Sequence, residues 1–331
     1  VGEQAPPHKK KIDKTMNTVS EFFDAWEFFR SAALSGAIAG ALLGALGTYI
    51  LLKRMVFLSA ALSQISAAGI ALGFLIQAIF LNAAAHHDHG LAPDDTFCLH
   101  DLLLSPVVSA SVLSILTLII VNRCSQKVRT NDAIIAFVYL VGTAATLLIG
   151  THIVAEIQDI QQLLVGNAVI VSNEDFHGLI LLAIPILFLH IILRRGFESA
   201  AFFPESSRIA AIPVKTLNLL LLLSLALAIA YTTRLLGALP VFALSVLPAM
   251  AARPLARNIH SMFYIAALIG ALSGFFGYLA AFVCNFPVGP TQAAVAALCL
   301  PLAYAARTAI QVTRRHTTPA NKFTPQRRIS P

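Results

Sequence analysis

Apolar residues along the chain gather into nine runs, at about 31–52, 56–81, 103–121, 133–150, 178–193, 217–233, 235–250, 261–283 and 291–311, with short polar breaks between them. Most approach the ~20 residues that a helix needs to cross the hydrocarbon of a bilayer. The pattern predicts an all-α fold, a polytopic helical membrane protein with eight to nine transmembrane helices. The run at 235–250 is short and carries Pro240 and Pro248. It reads as a Pro-broken segment, broken or re-entrant, of the kind that membrane depth tolerates only where protein or a cavity covers it. The predicted organisation is an N-terminal tail (1–30), one transmembrane domain (31–311) with a basic loop at 194–216, and a basic tail (312–331).

Charges in the breaks alternate. Lys53 and Arg54 occupy one break, Arg123, Lys127 and Arg129 another, and Arg194, Arg195, Arg208 and Lys215 a third; Arg253 and Arg257 follow, and the tail is basic. The stretches 82–102, 151–177 and 284–290 have no Lys or Arg. Basic residues mark the cytoplasmic side. The C-terminus is therefore expected inside, and the three acidic or neutral stretches outside. At the other end Lys9, Lys10, Lys11 and Lys14 argue for inside. Counting spans back from the C-terminus argues for outside if 235–250 crosses fully, and Glu21, Asp24 and Glu27, with only Arg30 against them, suit an external tail. Met16 is a candidate start. A cleaved signal is not expected, because 31–52 is too long and ends at a Lys-Arg pair.

Composition narrows the class. Of 331 residues 57% are hydrophobic and 12% charged, about half the usual ~25% charged of a soluble domain. A soluble enzyme and a disordered chain are excluded. The net charge of +7 is explained by basic flanks of membrane segments, so no nucleic acid partner is expected; membrane lipid is. The four cysteines, Cys98, Cys124, Cys284 and Cys299, form no CxxC pair. Cys98 and Cys284 both fall in predicted external stretches, where pairing is open to them.

Within the spans, Gly36, Gly40 and Gly44 form one small face suited to close helix packing. Ser59, Ser63, Ser66, Gly73 and Gln77 share a stripe on the second helix, with Gln64 beside it. Two readings stay open: a translocation lining, or serines bonded back to their own backbone. Outside, His86, His87 and His89 with Asp88, and His100 with Asp101, suit loose external capture of a divalent metal such as zinc; a solvated polar loop is the alternative. His152 and His177 are also expected outside, and His190 near an inner helix end reads as simply hydrogen-bonded. No GxxxxGK[ST], HExxH, GxSxG or intramembrane Asp pair occurs. No catalytic residue is assigned and no covalently bound cofactor is expected. Work against a gradient would need ATP hydrolysed by another subunit.

Two stretches carry a family likeness. Leu51-Leu52-Lys53-Arg54-Met55-Val56-Phe57-Leu58, continuing through Ala61-Leu62-Ser63-Gln64 to Gly69-Ile70-Ala71-Leu72-Gly73, resembles the LRRMxFLxDALSHAxLPGVALG segment of metal ABC transporter permeases of the zinc/manganese/iron importer type. Phe202-Phe203-Pro204-Glu205-Ser206-Ser207-Arg208-Ile209-Ala210-Ala211-Ile212-Pro213-Val214 resembles that family's cytoplasmic FDPEFARALGLPV. Leu164 to Asn167 with Val171-Ser172, Leu247-Pro248-Ala249 with Ala251, and Phe286 to Thr291 follow in the family's order, so the likeness covers roughly 25–315.

The resemblance implies the transmembrane subunit of a type II importer. It would work in the bacterial cytoplasmic (inner) membrane with a second permease copy, in a homodimer. A cytoplasmic ABC ATPase and a periplasmic or lipid-anchored metal-binding protein complete the set. It further implies that 202–214, within the coupling loop 194–216, docks on the ATPase through Pro204, Glu205, Arg208, Ala211 and Pro213. The chain departs from the pattern at the positions where the family's Asp and His, four residues apart, are expected to meet the metal: here they are Ala60 and Gln64. Import of divalent metal, zinc before manganese or iron, is the leading expectation. The alternatives are the same fold carrying a metal chelate or other small solute, a partner permease in a heterodimer, and, from another class, a non-transporting membrane scaffold.

Overall fold

A computed structural model describes residues 19–87, 105–125, 131–152, 171–202 and 213–317. Every one of the nine apolar runs falls on a helix: α1 (Trp26–Leu52), α2 (Val56–His87), α3 (Pro106–Ser125), α4 (Asn131–His152), α5 (Asn173–Ile192), α7 (Val214–Leu236), α8 (Ala238–Ala252), α9 (Ile259–Cys284) and α10 (Val288–Thr317). Seven of these helices are long and apolar enough to cross a membrane, and α3 and α8 are shorter apolar helices. The fold is thus an all-helical, multi-pass membrane protein. A further helix, α6 (Arg194–Phe202), lies within the basic loop. There Phe197 and Ala200 are buried while Arg195 is exposed.

Among the seven long helices α1, α2 and α7 are the most buried, and the short α8 is mostly buried too; α4, α5 and α10 carry exposed apolar faces. Lipid is as apolar as leucine, so packing in such a bundle rests on close backbone approach and interhelical hydrogen bonds. The glycine face of α1 supplies the first. Gly36 opposes Gly274, Gly40 opposes Gly270 and Gly44 opposes Ala266. Numbers rise on one helix as they fall on the other, so α1 and α9 are antiparallel. The α2–α3 contact supplies both. Gly69 and Gly73 admit the backbone of α3 at Ala110 and Pro106, Ser109 donates to the Gly69 carbonyl (2.7 Å), and Ser66 bonds Ser114 (2.8 Å).

Helix ends follow capping chemistry. Leaving α1, the amide of Arg54 donates to the Leu51 carbonyl and that of Met55 to the Ile50 carbonyl; Arg54 sits at φ 57°. This is a Schellman turn with arginine where glycine is usual. Asn258 caps α9 reciprocally with Ser261, and Ser172 caps α5 by accepting from the amide of Asp175 (3.1 Å). The run at 235–250 is short and proline-bearing as expected, yet α8 is continuous. Pro240 falls in the first turn, where an amide hydrogen has no helical acceptor to lose, and Pro248 is buried beside Gly44 of α1. Gly237, at φ 91°, is the single residue between α7 and α8. A side chain there would be strained.

Candidate functional site

A lateral groove of about 390 Å³ runs between α2, α4 and α8. Phe57, Ala60, Ser63 and Gln64 form one wall. Ile135, Ala136, Tyr139 and Leu140 form the second, and Ala238, Leu239 and Phe242 the third. Ala60 and Gln64 face it together because residues four apart share a helix face. Gly142 lets α4 lie against the α2 backbone at Gln64 and Ile65, which fixes the spacing of these two walls. Phe57 is 67% exposed and Leu140 64%, so the groove opens sideways from the bundle.

Polar groups in the groove are few and uncharged. The Ser63 hydroxyl donates to the Ala60 carbonyl (2.9 Å). The amide oxygen of Gln64 is buried and has no hydrogen-bond partner among the described residues. A buried acceptor without a partner costs about 1–3 kcal/mol; Ser35, Thr48, Thr233 and Gln292 carry such atoms elsewhere in the bundle.

The serine stripe divides. Ser59 is fully buried and donates to the Val56 carbonyl (2.8 Å). Ser66 donates to the Leu62 carbonyl (2.7 Å) and meets Ser114 of α3. Both belong to helix packing. Only Ser63 and Gln64 of the stripe reach the groove; Gln77, more than three turns further along α2, is half-buried and does not line it. The walls from α4 and α8 were not anticipated. Their residues are apolar apart from Tyr139, and such residues carry no signal that separates a groove from a lipid-facing surface.

At the α6 end of the bundle, Phe197 of α6 stacks on the ring of His190 (centroids 4.8 Å apart) and meets Tyr49 of α1 edge-on (5.8 Å). His190 is buried; its Nδ1 bonds the Ile186 carbonyl (2.8 Å) and its Nε2 faces the Ser224 hydroxyl (3.4 Å). Arg194 donates to the His260 ring (2.7 Å to Nδ1). Through these contacts α6 is anchored to α1, α5 and α9, and Gly196 packs against Leu217 of α7. Lys53 donates to the Asn218 side chain, and its partial burial pushes its pKa down from the ordinary lysine value. Beside it, Lys53, Arg54, Asp132 and Asn218 line a hollow of about 240 Å³. At the opposite end, Arg234 and Asp175 form an ion pair (3.4 Å), and the Tyr231 hydroxyl donates to the Asp175 carbonyl (3.1 Å).

Pro204, Glu205, Arg208 and Ala211 lie outside the described residues, as do His89, Cys98 and the side chains of His86 and His87. Pro213, which opens α7, is exposed, and Cys284, also exposed, pairs with no cysteine among the described residues. Among the described residues no three His, Cys, Asp or Glu side chains gather as a metal site.

The chain belongs to the ABC 3 transport family, whose model matches residues 25–307. It is therefore a transmembrane subunit of an ABC transporter. The manganese transport system membrane protein MntC of Halalkalibacterium halodurans is 22% identical over 293 residues, covering 87% of this chain and 91% of that protein. MntC of Listeria monocytogenes is 22% identical over 280 residues, covering 84% and 90%. A solved structure of PsaBC from Streptococcus pneumoniae in complex with Fab superposes with a TM-score of 0.72 at 20% identity, covering 89% of this chain and 99% of that one. At that identity the likeness concerns the fold.

Proposed function

We propose that the chain is the permease of an ATP-driven importer of divalent metal ions, and that the α2–α4–α8 groove is its half of the passage. The observation that carries this reading is the groove itself. It places Ala60, Ser63 and Gln64, the stretch where the family likeness expects the metal to pass, on an open lateral face that a second copy of the chain would close. Family membership over residues 25–307 supplies the ABC context. Zinc is favoured by the His86–His89 tract and manganese by the names of the MntC relatives.

The remaining assignments belong to the same proposal. A cytoplasmic ATPase docks on 194–216, a lipid-anchored or periplasmic binding protein delivers the ion from the α5–Arg234 side, and the C-terminus is cytoplasmic in a bacterial inner membrane. The α6 anchor supports the docking assignment: a segment that transmits ATPase motion must be fixed to the helices it moves.

Proteoliposomes carrying the permease, its ATPase and its binding protein test this with radioactive zinc, using manganese and ferrous iron as competitors. ATP-dependent accumulation that one of the three ions outcompetes is expected. A complex that hydrolyses ATP but accumulates no metal would overturn the reading.

A further inference from the structure

We infer that the metal passes the α2–α4–α8 groove as a coordinatively filled complex, keeping ligands it brought with it, and not as a bare ion held by this chain; this rests on the importer reading.

The donor set carries the argument. The described residues that line the groove offer Ser63, Gln64 and Tyr139, and no carboxylate, imidazole or thiolate. Zinc sites are built from thiolates, imidazoles and carboxylates, and manganese sites from carboxylate, carbonyl and water oxygens. Moving even a singly charged ion from water into an apolar medium costs tens of kcal/mol, and the cost climbs steeply with charge. One amide oxygen and two hydroxyls do not offset that for a stripped divalent ion.

The same groups suit a metal whose first shell is full. Such a complex spreads its charge over a larger radius, which lowers the cost of leaving water, and turns hydrogen-bond donors outward; an organic chelator adds apolar surface. Gln64 and Tyr139 place polar side chains along the groove, the Tyr139 ring partly exposed, and Phe57, Leu239 and Phe242 give apolar contact. Space fits as well. A shell of six waters at ~30 Å³ each occupies roughly 180 Å³, and the groove offers about 390 Å³ in one copy of the chain. Filled shells come from two sources, water or a small organic chelator.

Exchange-inert complexes separate these cases. Hexaamminecobalt(III) stands for an ion with a shell of small ligands, and chromium(III)–citrate for an organic chelate. Neither releases its ligands during a transport cycle. In the reconstituted importer, at least one is expected to accumulate with ATP and to depress radioactive zinc or manganese uptake several-fold; which one does so names the source. Zinc or manganese uptake that neither inert complex competes with would overturn the inference and leave the importer reading standing. Failure of every label to accumulate, with ATP still hydrolysed, would instead overturn the importer reading.

A second measurement uses the permease–ATPase complex in nanodiscs with zinc and manganese as probes. The native groove is expected to retain neither ion. Ala60→Asp combined with Gln64→His, which adds a carboxylate and an imidazole, is expected to retain zinc and to slow uptake at least tenfold. Zinc held by the native complex and lost in Gln64→Leu would overturn the inference.

Discussion

Gly40 and Gly270 meet backbone to backbone: a Cβ added to either would overlap the carbonyl oxygen of the other. The crossing of α1 and α9 is therefore set at these two residues, with Gly36–Gly274 and Gly44–Ala266 one turn to either side. Overpacking a tight contact costs typically 1–3 kcal/mol. Gly40→Ala is expected to lower the melting temperature of the solubilised protein by several degrees, and Gly40→Leu to abolish a monodisperse species. Gly196→Ala is the control, since a Cβ there meets only the flexible end of Leu217, at 3.1 Å. Equal melting of Gly40→Ala and Gly196→Ala would show that the helices part without cost.

The spans were legible because a bilayer demands ~20 apolar residues per crossing, and the glycine face of α1 because close packing needs small residues. Neighbours were not legible. Helical spacing says that Ser63 and Ser66 share a stripe, but not that Ser66 turns to Ser114 while Ser63 turns to the groove. The Gln64 position was visible as a departure from a family pattern, whereas its orphaned amide oxygen depends on where α4 and α8 lie. Ile135, Ala136 and Leu140 went unmarked in the sequence, because apolar residues give the same signal against lipid and against a groove. Helix α6 was hidden for another reason. Its nine residues mix Arg194, Arg195 and Glu198 with Phe197 and Ala200, and tertiary contacts hold it, those of Phe197 with Tyr49 and His190 and of Arg194 with His260.

The contacts of Phe197 yield a second expectation. Phe197 is 1% exposed between His190 and Tyr49, and truncating a buried Phe to Ala costs about 3 kcal/mol or more. Phe197→Ala is expected to free α6 while leaving the spans inserted. Transport per ATP hydrolysed, read in proteoliposomes, should fall several-fold, with the ATPase still co-purifying. Arg195→Ala, on the exposed side of α6, should leave the ratio unchanged. A normal ratio in Phe197→Ala would show that α6 does not transmit motion.

Lys53 is expected to make stability depend on pH. Burial lowers its pKa in the folded protein. Between that lowered value and the ordinary lysine value near 10.4, the unfolded chain binds more protons at this position than the folded one. Stability contributed here therefore rises with pH across that window. Melting followed from neutral pH to about 10 is expected to show a smaller rise for Lys53→Gln than for the native protein. Superimposable profiles would mean that Lys53 is protonated alike in both states.

The ends of α9 fix a test of topology. The Phe22 ring lies 5.2 Å from that of Phe282 and 6.2 Å from that of Tyr278, ring centroid to centroid. Residue 21 thus sits by the C-terminal end of α9, while Arg257 precedes its N-terminal cap at Asn258. The 26 residues of α9 span roughly 39 Å at 1.5 Å each, enough to separate the two positions by a full bilayer. In a background with the native cysteines removed, Glu21→Cys is expected to react with a membrane-impermeant maleimide in intact cells, and Arg257→Cys only after permeabilisation. The reverse result would invert the orientation assigned from the basic loops and place the 194–216 segment where no ATPase can reach it. Labelling of both from one side would mean that α9 does not cross the membrane.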